Sequence, residues 1–124
     1  MRLRLAVISI AALSLAAVPS VAGGDTARIK ASGSPGYWKW QPDFKHIYKG
    51  DRIVWKNPTS STHRVTAYSN NWSKDTELSS SGGRTRKTFK KTGQYLYRCT
   101  MPGHSTLSGG ECEGMCGEVH VARR

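Results

Sequence analysis

Gly93-Gln94-Tyr95-Leu96-Tyr97-Arg98-Cys99 is the stretch on which the fold turns. Successive side chains of a strand point to opposite faces, so Tyr95, Tyr97 and Cys99 share one face while Arg98 lies on the other. The same alternation sets His63, Val65 and Ala67 against Arg64 and Thr66, and Val119 and Val121 against Glu118 and His120. Outward from these, short extended segments recur at Ala27 to Lys30, Tyr37 to Trp40, Phe44 to Tyr48, Arg52 to Lys56 and Thr85 to Lys90. Turn signals separate them, among them Ser32-Gly33-Ser34-Pro35-Gly36, Lys49-Gly50-Asp51 and Asn57-Pro58. Residues 69–83 are polar and rich in Gly and Ser, which predicts a long exposed loop. About seven or eight strands at this spacing predict an all-β, two-sheet Greek-key sandwich of ~100 residues.

The rest of the chain agrees with one small domain. It has 124 residues, of which 37% are apolar, yet it carries four Trp and five Tyr, more aromatic payload than a disordered chain. Thirteen Gly and five Pro fall without a period, which excludes a collagen-like or coiled-coil protein. The start reads differently. Arg2 and Arg4 precede an apolar run from Leu5 to Val18, followed by Pro19-Ser20-Val21-Ala22-Gly23. The run is short of the roughly 20 residues a membrane span needs. The layout predicts a secretory signal peptide over 1–22, cut after Ala22, and a single domain over 23–124. The mature protein is then periplasmic or extracellular.

Export makes the three cysteines informative, because thiols outside the cytoplasm tend to pair. Cys112 and Cys116 are close enough in sequence to close a small ring if the loop between them bends suitably, and Cys99 would then be left over. A lone thiol in an oxidising compartment needs protection, and a metal would supply it. His63 and Cys99 both fall at strand ends on the apolar-facing side, an arrangement that suits a site at one pole of a sandwich.

These residues carry a resemblance. Gly50-Asp51-Arg52-Ile53-Val54-Trp55-Lys56-Asn57 followed by His63-Arg64-Val65 resembles the first ligand region of small blue copper proteins. Gly93 through Cys99-Thr100-Met101-Pro102-Gly103-His104 resembles their second, and Met115-Cys116-Gly117-Glu118-Val119-His120-Val121 resembles the plastocyanin-type ending. The likeness spans residues 37 to 122 and keeps the order His, Cys, His, Met. It implies a cupredoxin of the plastocyanin/azurin type holding one copper per chain through His63, Cys99, His104 and Met115. Two imidazoles and a thiolate with a weak thioether are the donors of an electron-transfer copper site. The closed set leaves no position for a substrate, which implies a carrier of single electrons rather than an enzyme.

Two departures stand out. Ser105 to Gly114 is longer than the corresponding plastocyanin loop and contains Cys112, so Cys112 and Cys116 flank Met115. Arg64 follows His63 where plastocyanins have Asn, which leaves open how the thiolate is steadied. The same segment admits a dinuclear, CuA-like alternative with Cys112 and Cys116 bridging two coppers and His63 and His120 as terminal ligands. Against it, His120 alternates away from the Val119/Val121 face, and Cys99 and His104 would go unused. A copper carrier without an electron-transfer role, and zinc in place of copper, are further alternatives on the same donors. His46 and His120 read as exposed residues or as supports for a ligand.

Basic residues outnumber acidic ones, 19 to 8, for a net charge of +11. Arg84, Arg86, Lys87, Lys90, Lys91 and Arg98 lie close together in sequence, with Arg86, Lys90 and Arg98 expected to point outward. Either this is a solvated face or it docks on acidic redox partner proteins or an anionic envelope surface. Nucleic acid is not expected, and a monomer is. Around His104, Met101, Pro102 and Leu107 are expected to form an apolar rim.

Overall fold

The computed structural model describes residues 24–124. The predicted signal peptide, residues 1–22, lies outside them. Eleven strands run through the described residues: β1 (Thr26–Ser32), β2 (Lys39–Gln41), β3 (Phe44–Tyr48), β4 (Arg52–Asn57), β5 (His63–Ala67), β6 (Asp75–Leu78), β7 (Gly83–Thr88), β8 (Gly93–Arg98), β9 (Ser105–Ser108), β10 (Glu111–Gly114) and β11 (Cys116–Ala122). They form a four-stranded sheet in the order β2-β1-β4-β7 and a five-stranded sheet in the order β3-β11-β8-β5-β6. The hairpin β9–β10 stands apart from both. Neighbours are antiparallel except for β1 with β4 and β11 with β3.

The alternation read from the sequence sets the inner faces. Ile29, Ala31, Trp40, Ile53 and Trp55 come from the smaller sheet and meet Val65, Tyr95, Tyr97, Val119 and Val121 from the larger. Trp55 meets Tyr97 nearly edge-on at 5.4 Å between ring centres, and Trp72 stacks on Trp55 at 6.2 Å. Removing one such buried ring costs on the order of 3–5 kcal/mol, so the aromatic layer dominates the core. At one end the buried carboxylate of Asp51 accepts the N–H groups of Asp25 and Tyr48 and the guanidinium of Arg124. Burial pushes this carboxyl up, but those donors outweigh it and hold it below the usual range.

The eight strand segments expected from sequence are present, and three short ones join them. Residues 69–83 are not one loop, because β6 pairs with β5 there, His63 opposite Leu78 and Val65 opposite Thr76. Ser105 to Gly114 is not a plain loop either. Gly109 and Gly110 both take positive φ, 58° and 81°, the two-residue turn geometry that closes a hairpin between β9 and β10. The basic cluster divides as well. Arg84 and Arg86 point outward from β7 in the smaller sheet, whereas Arg98 belongs to β8 in the larger one and donates to Ser105 Oγ.

Candidate metal centre

Antiparallel pairing of β5 with β8 brings the start of one strand beside the end of the other. His63 opens β5, Cys99 follows β8, and His104 follows a turn in which its N–H bonds to Met101 O. One donor atom from each of these three lies within 4.8 Å of the others. The Nδ1 atoms of His63 and His104 are 3.2 Å apart, and Cys99 Sγ lies 3.3 Å from His104 Nδ1 and 3.9 Å from His63 Nδ1. Such edges suit donors grouped about one first-row ion at metal–nitrogen distances near 2.0 Å and a metal–sulfur distance near 2.3 Å. His63 and Cys99 are fully buried, and His104 is half-buried.

Burial governs the protonation of the three. It pushes His63 down from 6.5 to about 4, with the neighbouring His104 adding to the effect, and it pushes His104 down as well. It pushes the Cys99 thiol up, against backbone N–H groups of Met101 and Arg64 that favour the thiolate. The imidazoles are therefore held neutral and free to coordinate, while the thiol gives up its proton to a metal that replaces it.

A pH dependence follows for the metal-free protein. His63 binds its proton less readily folded than unfolded, so protons favour the unfolded chain as pH falls from 6.5 to about 4. Stability should drop across that window by roughly 3 kcal/mol and change little from this source outside it. Denaturant unfolding at a series of pH values checks this, and His63→Gln should flatten the slope. A profile level between these limits would contradict it.

The structure resolves the question that Arg64 raised. The backbone N–H of Arg64 donates to Cys99 Sγ at 3.3 Å, while its side chain turns outward to Asp75. The contact to sulfur does not depend on the side chain at position 64. Ser105 Oγ, bonded to Cys99 O, fixes the other side of the cysteine.

Other supporting groups were missed in the sequence. Thr59 Oγ1 lies 2.8 Å from His63 Nε2, so with Nδ1 turned to the metal, Nε2–H donates to this hydroxyl. The Thr59 hydroxyl in turn donates to Asn57 Oδ1 at 2.7 Å. Asn57 is fully buried, and its amide is shared among the carbonyls of Ser61, Leu78 and Ser79. Trp38 packs edge-on against His63 at 4.9 Å and over His104 at 6.0 Å. The one signal available was the Asn57-Pro58-Thr59 turn just ahead of His63.

Met115 is fully buried beside the group. Its N–H donates to His104 O and its carbonyl accepts Cys99 N–H, both at 2.9 Å, so its main chain is locked to two of the three donors. Gly114 precedes it at φ 93°, with His104 O 2.6 Å from where a Cβ would stand. A side chain at 114 would both strain the backbone and push this joint apart. Cys112 and Cys116 are joined in a disulfide that ties β10 to the start of β11, and Cys99 is the free cysteine among the described residues. The two thiols that a dinuclear site would need are thus bonded to each other. His120 lies on the outer face beside His46.

His104 borders an open cleft lined also by Tyr37, Trp38, Ser105 and Glu113. Of the expected apolar rim, Pro102 and Leu107 are exposed, whereas Met101 is half-buried and packs against the core. Tyr37, 80% exposed, is an addition.

Comparison with known proteins agrees with this geometry. Residues 27–122 match the family model described as copper binding proteins, plastocyanin/azurin family. The fold is similar to that of a purple cupredoxin from Nitrosopumilus maritimus, at 20% identity and TM-score 0.60, over 77% of this chain and 99% of that one. It is likewise similar to a reduced mutant of amicyanin, at 20% identity and TM-score 0.61, over 84% and 88%. No curated protein matches the sequence.

Proposed function

Given that the chain belongs to the plastocyanin/azurin family of copper-binding proteins, we propose that it is an exported, monomeric, non-catalytic carrier of single electrons. His63, Cys99 and His104 are its copper ligands, and Met115 is the weak axial one. The observation that carries this reading is the convergence of two Nδ1 atoms and one thiol sulfur within 4.8 Å in a buried pocket. Copper bound there supplies a one-electron Cu(II)/Cu(I) couple.

The chain's own part is to hold the donors still. His63 is oriented through Thr59 and Asn57, Cys99 through Arg64 N–H and Ser105, and Met115 through main-chain bonds to His104 and Cys99. Trp38 and Trp40 pack on His63 and keep water from it. The edge of His104 faces the cleft, where a redox partner can approach.

The test separates an electron carrier from a copper carrier. Copper-loaded protein should take up one electron per chain from ascorbate, give it back to an oxidant, and keep its metal against a Cu(I) chelator while reduced. Release of copper on reduction would favour delivery of the metal over electron transfer.

The disulfide separates the mononuclear from the dinuclear reading. Replacing both Cys112 and Cys116 with Ser should leave one copper per chain and a blue spectrum. The ring is short, so the stability lost should be about 2 kcal/mol or less. Metal analysis and absorption of the double variant check this, and loss of the chromophore would favour bridging thiolates.

Partner chemistry is suggested by the outer face of the smaller sheet. Register places Lys30, Lys56 and Arg84 side by side across β1, β4 and β7, with Arg28, Arg52 and Arg86 on the same face. Like charges directly opposite destabilise a sheet, so the array is unfavourable until an anionic surface meets it. That face meets the acidic flank of a redox partner whose electron enters at His104, or an anionic envelope surface.

A further inference from the structure

His46 on β3 and His120 on β11 lie outside the metal centre, and the parallel register sets them directly side by side. Both side chains leave the outer face of the larger sheet, His46 exposed and His120 half-buried. Their Nδ1 atoms converge to 3.3 Å. Two nitrogens bound to one tetrahedral ion at about 2.0–2.1 Å lie about 3.3–3.4 Å apart, so the gap already matches a chelate. The imidazole pair of the buried centre shows nearly the same approach, 3.2 Å.

The rings are not free to turn away. Tyr48 packs edge-on against His46 at 5.3 Å, and Phe44 lies tilted against His120 at 6.4 Å. Both aromatics are exposed on the edge strand β3, so the pair sits in a shallow aromatic frame open to solvent. On its other side His120 faces Gln94 of β8, a neutral neighbour. Without a metal, one Nδ1–H donates to the other Nδ1 across the 3.3 Å gap and the rings meet edge-on, so the pair is preorganised and a cation replaces the shared proton when it binds.

We infer that His46 and His120 form a second, surface metal site for a borderline divalent cation, with Zn(II) the best geometric fit. Both Nδ1 atoms serve as ligands and water fills the remaining positions. Cu(II) shares the donor preference but favours a narrower, tetragonal angle, which the side chains reach by closing a few tenths of an ångström. His120 lies five residues beyond Met115 on an extended strand, roughly 15 Å away, so the two centres are separate. This inference does not depend on the electron-transfer reading.

The experiment uses the full copper-loaded protein with Zn(II) as the probe. Equilibrium dialysis and calorimetric titration should show one further Zn(II) bound per chain, with the blue absorption unchanged. His46→Gln and His120→Gln should each weaken Zn(II) binding by at least about tenfold and leave copper content alone. Equal Zn(II) binding by the parent protein and both variants would overturn the proposal, as would no binding at all. Zn(II) uptake only with loss of copper would overturn it too, by placing the ion in the buried centre.

Discussion

Cys99→Ser is expected to leave the sandwich intact and abolish the blue chromophore. The residue is fully buried and tucked behind Arg64 N–H and Ser105, and serine is nearly the same size. A hydroxyl has no soft thiolate to offer, so the strong sulfur-to-copper absorption has no source. The remaining donors, His63 and His104, would hold an ion far less tightly. Far-ultraviolet dichroism should match the parent, while copper content falls sharply and the visible band vanishes. Retention of the blue band would mean that the thiol assignment is wrong.

Asn57→Leu carries the largest expected cost in stability. The side chain has no exposure, and its amide meets Ser61 O, Leu78 O and Ser79 O while its oxygen accepts Thr59 N–H and hydroxyl. Leucine has a similar volume but supplies none of these bonds, so several buried polar groups are orphaned together. Each costs about 1–3 kcal/mol, and a total of about 3–5 kcal/mol is expected in denaturant unfolding of the metal-free protein. Thr59→Val provides the graded control. It removes the hydroxyl that meets His63 Nε2, Asn57 Oδ1 and Ser61 but leaves the Asn57 amide bonds in place, and it should cost about 1–2 kcal/mol while changing the reduction potential of the copper-loaded form. An Asn57 variant within about 1 kcal/mol of the parent would show that this network is not what closes the pole.

What was legible in the sequence was what alternation and order can encode. The β8 run Tyr95 to Cys99 and the β11 run Gly117 to Val121 announce their faces residue by residue, and both strands carry the core as expected. Strand β6 was invisible because Asp75, Thr76 and Glu77 are polar, and only Leu78 reaches the core. Pairing with β5, rather than any intrinsic pattern, makes it a strand. The hairpin over Ser105–Gly114 has no alternating apolar face, Leu107 being its one large apolar side chain, and its one signal was the Gly109-Gly110 pair. Parallel pairings such as β11 with β3 leave no local trace, so the meeting of His46 with His120, 74 residues apart, could not be read. The four proposed ligands were legible because their flanks and order repeat a family pattern. Their supports were not. Whether Asn57 and Thr59 reach His63 depends on the path of a turn, and whether Arg64 steadies sulfur depends on its backbone. The basic cluster misled for a related reason: the chain changes sheets between β7 and β8, parting Arg86 from Arg98.

The proposed centre is a single copper held by two imidazoles and one thiolate in a rigid pocket. Electron paramagnetic resonance of copper-loaded protein, recorded with its absorption spectrum, tests it most directly. Such a centre gives a mononuclear Cu(II) signal at one copper per chain and an intense band toward the red end of the visible, bleached by ascorbate. A seven-line hyperfine pattern from a mixed-valence pair, or an ordinary Cu(II) signal without the intense band, would contradict it.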